Sequence, residues 1–457
     1  MSESPFTDVL PLAPLQEGLL FHNRSGPAAD PYIVQIVVRI EGPLKPGRLR
    51  AAAQRLTERH TGLRAGFLYD GLSRPVQVIP WVLTLPWRAV ELAADGTGTC
   101  TAALDELART ERRRGFDLRR PPALRFVLAW RSQAEHWLIL THHHIIMDGW
   151  SQGLFIRDLF ELYRHGDDGR PPEQPEPGFR DLLVWIQRQD HGQALQAWRS
   201  ALQGFRRPTL VSAALGRART GAVPGSARDI TMVLSGNVSA GLARISRDRG
   251  LTLGTLVQGA WGLLLGQVTG SSDVVFGATV AGRHPEIARI DSAIGLCANT
   301  VPVRVAWQPG DTVSSVLNRL QSSQRGLMRY DFVSLSEIHG ALQMRELFDT
   351  VVVVANYPPG ASLGDLDVAG LRVSAAITSD YDHYPLGLVV VPGDPVRVQI
   401  DFWPGVIDEA AARMAGRRLT GLLAAVAADP DAQVSQAGLP SAAERNLLGR
   451  WNDTARD

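Results

Sequence analysis

Three of the eleven histidines are consecutive, at His142, His143 and His144 in LILTHHHIIMDGWS, with Asp148 and Gly149 following. Imidazole is the side chain whose ordinary pKa lies near neutrality, so it can take up and return a proton under mild conditions. The apolar run before the histidines reads as a strand, and the residues from Asp148 onward read as a helix. Side chains alternate along a strand, which places His142 and His144 on one face and His143 on the other. A helix start presents unpaired N–H groups and positive potential, both suited to a developing oxyanion. A histidine beside such donors is equipment for acyl transfer. Two other readings stay open: buried histidines satisfied within a core, and a zinc site built on two imidazoles at i, i+2. No third ligand and no HExxH lies nearby. GASLG, residues 360–364, matches GxSxG, but Pro358 and Pro359 precede it and no helix pattern follows, so it reads as a polar loop.

The elements that must hold these residues alternate between strand and helix patterns. YIVQIVVRIEG reads as a strand, RLRAAAQRLTERHTGL and TAALDELARTERRRGF as amphipathic helices, and LRFVLAW and HWLILTHH as two strands joined by RSQAE. DGWSQGLFIRDLFELYRHG reads as a helix capped by Asp148 and stopped by Gly166. A Pro/Gly/charge-rich stretch at 164–179 reads as a linker. Beyond it come helices near 180–203, 238–250, 253–267, 311–328 and 408–427. Strands are expected near 228–234, 273–280, 299–307, 350–356, 369–377, 386–391 and 396–403. This is α/β or α+β architecture in two lobes. No GxGxxG follows a strand, which argues against a simple nucleotide-binding sheet.

Composition closes several routes. Lys45 is the sole lysine of 457 residues, and it lies in the polar turn EGPLKPGRLR. A P-loop lysine is therefore missing, and Schiff-base chemistry would have to run on Lys45. A net charge of +1 without a basic stripe argues against nucleic acid as a partner. The run Arg112–Arg114 with Arg119 and Arg120 reads as the solvated end of a helix. Cys100 and Cys297 are far apart and form no zinc or disulfide pattern, which fits a reducing cytoplasm. No export signal or run of about 18 apolar residues is seen. The arginine bias suggests a GC-rich bacterium. ERNLLGRWNDTARD ends without a closing element and reads as a chain cut inside a longer one.

The motifs together resemble the condensation domains of nonribosomal peptide synthetases. HHIIMDG, residues 143–149, matches their HHxxxDG. LPLAPLQEGLLFH (10–22), RHTGLRAGF (59–67), FRDLLVW (179–185) and IGLCANTVPVR (294–304) resemble the first, second, fourth and fifth core motifs. LFDTVVVVANYP and YDHYPL resemble the subtype that joins a D-configured donor to an L-configured acceptor, and LLGRWNDT resembles a linker into an adenylation domain. The resemblance implies a V-shaped pair of chloramphenicol-acetyltransferase-like lobes around a tunnel. It implies an N-terminal lobe over 1–170, a C-terminal lobe over 171–440 and the linker over 441–457. Upstream and downstream peptidyl carrier domains and an adjacent adenylation domain would be the partners. Phosphopantetheine would come on the carriers, with no cofactor or metal bound by the domain itself, which is expected to be a cytoplasmic monomer from an actinobacterium.

The resemblance also assigns roles. His144 would act as general base or position the attacking amine, His143 would turn away and hold the loop, and Asp148 would be structural, paired with Arg283 of VAGR. The Gly149 N–H would help hold the oxyanion. Cys297 and Ala298 replace an aromatic–aliphatic pair, and Val354 and Ala355 stand where FENYP-like patterns carry bulk or charge. Either change enlarges a cavity or is plain drift. The extra histidine, His142, makes HHHxxxDG, which resembles the condensation domain that closes the β-lactam ring in nocardicin assembly. There a seryl donor passes through dehydroalanine, and His142 would assist proton removal. An ordinary peptide-bond-forming domain, an epimerase and a non-catalytic carrier-docking module are the alternatives.

Overall fold

The computed structural model describes residues 6–25, 30–92, 101–166, 178–215, 227–357, 365–379 and 383–436. The linker residues 167–177, the GASLG pattern, Cys100 and the tail beyond 436 lie outside these. Contacts divide the chain into two units. One holds residues 1–190, 281–299 and 357–383, and the other holds 191–280, 300–356 and 384–457. The sequence suggests one cut near 170, whereas the first unit takes back two later segments. The later of the two returns by non-local strand pairing, Leu371–Ser379 running antiparallel beside Ile33–Glu41.

In the first unit a six-stranded sheet has the order Leu366–Val368, Leu371–Ser379, Ile33–Glu41, Glu135–His143, Leu124–Ser132, Trp87–Glu91. Only the last pair is parallel. Leu124–Ser132 and Glu135–His143 form the expected hairpin. Helix Thr101–Arg113 covers one face of the sheet, where Ala108, Val127 and Ile139 cluster. Leu138 and Leu140 point to the other face, into a core shared with helices Pro46–Arg59 and Gly149–His165. A small sheet of Phe6–Pro11, Val76–Pro80 and Gly66–Leu68 completes the unit.

Helix Gly149–His165 follows from its sequence. Apolar residues at 155, 156, 159, 160 and 163 recur at helical spacing and are buried. Burying Phe155 and Phe160 contributes about 1.5–3 kcal/mol each. Asp148 caps the start by accepting from the Ser151 N–H at 2.9 Å, and Gly166 ends the helix at φ 63°.

In the second unit a six-stranded sheet has the order Asn299–Ala306, Asp273–Val280, Thr350–Val354, Leu386–Val391, Arg397–Phe402, Arg228–Val233. Helices Leu253–Thr269 and Glu409–Ala428 supply much of its core. The single helix expected over 180–203 is two, Phe179–Gln187 and His191–Ala201. Each unit is mixed α/β.

Candidate active site

Strand Glu135–His143 ends one residue short of His144, and that sorts the three histidines differently from simple alternation. The His144 N–H donates to the Tyr32 carbonyl at 2.8 Å. The Ile145 N–H then turns back onto His143 Nδ1 at 3.0 Å and starts a 3₁₀ turn over His144–Ile146. His144 therefore leaves the strand before alternation can place it beside His142. It is half-buried, whereas His142 and His143 are fully buried.

His142 shares the core face with Leu138 and Leu140, opposite Val34 and Leu124 in the ladder. Its Nδ1 bonds the His143 carbonyl at 3.1 Å, and its Nε2 has no partner. A carbonyl only accepts, so Nδ1 carries the proton and Nε2 the lone pair. Burial drives the His142 imidazolium down to about 3, with a smaller opposing effect from the His143 carbonyl bond. His142 is therefore neutral at any ordinary pH. It does not share an accessible face with His144, and among the described residues no three His, Cys, Asp or Glu side chains gather as metal ligands.

His143 is fixed from both ends. Its Nδ1 accepts from Ile145, so Nε2 carries the proton and donates to Asp30 Oδ2 at 2.9 Å. Asp30 also accepts from the Tyr32 N–H and from Asn23 Nδ2. Burial would raise the Asp30 carboxyl, but the hydrogen bond from His143, with these added donors, holds it below the usual range.

Asp148 is the most heavily bonded carboxylate of the site. Arg283 donates to both oxygens, at 3.0 and 3.2 Å. The N–H groups of Ser151, Cys297 and Ala298 donate at 2.9, 2.9 and 3.1 Å. Burial pushes this carboxyl up, yet the Arg283 charge and the bonds to it outweigh that and keep it ionised. The Arg283 side chain is only 2% exposed, and its guanidinium lies 4.8 Å from the centre of the Trp150 ring. Gly282 allows the turn that delivers it. Gly282 sits at φ +61°, and a Cβ there would fall 1.9 Å from the Cys297 carbonyl oxygen.

Gly149 starts the helix, and Tyr357 lies on it. A Cβ on Gly149 would come within 2.4 Å of the Tyr357 hydroxyl oxygen. The Tyr357 ring also meets Trp150 edge to face at 6.5 Å. Tyr357 and Asp30 are site residues that residue patterns alone do not single out. Tyr357 stands in the ANYP stretch, two positions after Ala355, and only the structure brings it to Gly149. Cys297 and Ala298 meet Asp148 through their main chains, and burial pushes the Cys297 thiol up to about 12, so it is no nucleophile.

The family described as Condensation domain matches residues 7–448. The chain belongs to the condensation-domain family of nonribosomal peptide synthetases. A component of the linear gramicidin synthase of Brevibacillus parabrevis is 33% identical over 460 residues, which cover 98% of this chain and 9% of that protein. Surfactin synthase subunit 3 of Bacillus subtilis (strain 168) is 27% identical over 449 residues, 98% of this chain and 35% of that one. The domain thus spans a small part of these relatives. Among solved structures, the X-domain from teicoplanin biosynthesis matches with a TM-score of 0.79 at 24% identity, covering 94% of this chain and 97% of that one. The first condensation domain of the calcium-dependent antibiotic synthetase matches at 0.76 and 21% identity, covering 95% and 100%. The condensation-domain fold, made of chloramphenicol-acetyltransferase-like α/β units, is therefore the fold of this chain. Within this condensation domain HHHxxxDG assembles as one half-buried histidine, one anchored histidine, one core histidine and a salt-bridged helix cap.

Proposed function

We propose that the domain joins a carrier-bound peptidyl thioester to the amine of a carrier-bound aminoacyl group. The observation that carries this reading is the sorting of the histidines: His144 alone is reachable, and it stands just ahead of a helix start pinned by Asp148 and Arg283. His144 takes or positions the proton of the attacking amine. The helix start, with the Gly149 N–H, faces the developing oxyanion. His143, Asp148 and Arg283 hold the two groups in place. The thioesters come on phosphopantetheine arms of upstream and downstream carrier domains, and an adenylation domain follows. The domain itself needs no metal or cofactor for this step. The test loads donor and acceptor on separate carriers and weighs the product. His144→Ala is expected to abolish coupling, and wild-type coupling rates in that variant would overturn the reading.

A second reading, β-lactam formation, is favoured by His142. Packing alone asks for an apolar side chain on this core face, yet an imidazole is present with an unpartnered Nε2, at a cost of about 1–3 kcal/mol. In this reading the donor ends in serine. The α-proton and β-hydroxyl leave together as water, giving dehydroalanine. The acceptor amine adds to the β-carbon, and the resulting secondary amine displaces the carrier thiol to close the ring. His142, buried and neutral, would not take these protons itself but would position His144 for them. A product lighter by one water than the amide, lost in His142→Ala, is the expected result. A seryl donor that yields only the simple amide would refute it.

A further inference from the structure

The hydroxyl of Tyr357 occupies the space that any side chain at position 149 would fill. Its oxygen lies 2.4 Å from where a Cβ on Gly149 would stand, and the ring carbon that bears it lies at 3.3 Å. The phenol is thus seated on the first residue of helix Gly149–His165. Two further observations hold it there. Its ring packs edge to face on Trp150, and Trp150 is itself fixed, its Nε1–H donating to the Asp291 carbonyl at 3.0 Å while Arg283 lies against its face. A phenol O–H is a good donor, and a helix start already carries positive potential. A group that gains negative charge beside Gly149 would meet both.

We propose that Tyr357 is a catalytic residue of the acyl-transfer step, its O–H donating to the oxygen of the donor thioester carbonyl as the tetrahedral intermediate forms. The glycine of the motif is then required as the seat of this phenol as well as for its own N–H. The proton stays on the phenol oxygen throughout. No bond to Tyr357 forms or breaks, and the carrier thiol leaves as in the uncatalysed attack. The inference rests on the reading of His144 and the helix start as the reacting centre.

The test compares Tyr357→Phe, Gly149→Ala and the double variant in the two-carrier coupling assay. Tyr357→Phe keeps the ring and removes the donor, so kcat should fall about 10²-fold with an unchanged KM for the donor carrier. Gly149→Ala keeps the N–H and drives the phenol oxygen from its seat, with a loss of similar size. In the double variant the new methyl meets only the ring carbon at 3.3 Å. Its kcat should therefore match that of Tyr357→Phe within about twofold. The proposal is overturned if Tyr357→Phe retains wild-type kcat, or if Gly149→Ala costs as much in the phenylalanine background as in the wild type. Thermal melts of each variant separate a folding defect from these outcomes, since Tyr357→Phe should melt with the wild type. His144→Ala runs alongside. If it still couples at the wild-type rate, the acyl-transfer reading falls. If it is inactive while Tyr357→Phe is unaffected, only the role of the phenol falls.

Discussion

Replacing His142 with leucine should flatten the acid side of the domain's stability profile. The histidine is completely buried, and its folded-state pKa is about 3 against an ordinary 6.5. Because the folded value is depressed, the neutral form is the one the fold accepts. Stability is complete above pH 6.5 and is lost as pH falls through 6.5 toward 3, since the unfolded chain takes up a proton that the folded chain refuses. At pH 5 that gap amounts to about 2 kcal/mol, at about 1.4 kcal/mol per pH unit. For a unit of about 150–250 residues this shifts Tm by roughly 4–8 °C. The assay is urea denaturation followed by tryptophan fluorescence, at pH 7.5 and pH 5, on wild type and His142→Leu. His60 and His383 are also held low by burial, but they titrate in both proteins and cancel in the difference. At pH 7.5 leucine should be tolerated, because it relieves an unpartnered nitrogen on an apolar face. Equal pH dependence in the two proteins would refute the burial of a neutral imidazole at this position.

The other predictions concern the anchors. Asp148→Asn leaves the Arg283 guanidinium buried without its charge partner and should cost about 3–5 kcal/mol in urea denaturation, partly recovered by adding Arg283→Met. Gly282→Ala combines a positive φ with a collision against the Cys297 carbonyl and should cost about 2–3 kcal/mol, read as a lower Tm. Asp30→Asn removes the charged acceptor of the His143 Nε2–H, so coupling should slow by about ten- to a hundredfold while the melting curve moves little. Unfolding should also steepen below about pH 4, where Asp148 and Asp30, ionised with depressed pKa values in the fold, become protonated in the unfolded chain first.

The strand–turn–helix around the histidines was legible because each step has a local signature. The apolar run, the Asp148 cap and the Gly166 stop each announce themselves by residue type, and the helix runs from 149 to 165 between those two marks. The sorting of the histidines was not legible. Period-two alternation is correct only while the strand lasts, and the strand ends where the His143 ring captures the Ile145 N–H. Asp148 shows a related limit. The family resemblance points to its arginine partner, but its bonds to the main chain at Cys297 and Ala298 leave no trace in residue type. Tyr357 has no local signature, because the glycine it rests on lies 208 positions away in the chain. The return of Leu371–Ser379 to the first sheet was hidden for the same reason: a strand pattern shows that a segment pairs, not with what.

That returning strand bears on how the protein comes into being. On the ribosome, Ile33–Glu41 emerges early, finds Glu135–His143, and then waits with its other edge bare while residues 191–280 and 300–356 of the second unit are made. An unpaired edge with alternating valines and isoleucines invites pairing with a neighbouring nascent chain. Vectorial synthesis therefore cannot finish the first half before starting the second, and folding should stay slow until residue 379 is free. The same arithmetic governs attempts to build hybrid synthetases. A splice placed after residue 190 would strand the histidine-bearing sheet without its outer ribbon, so grafts should carry the domain whole.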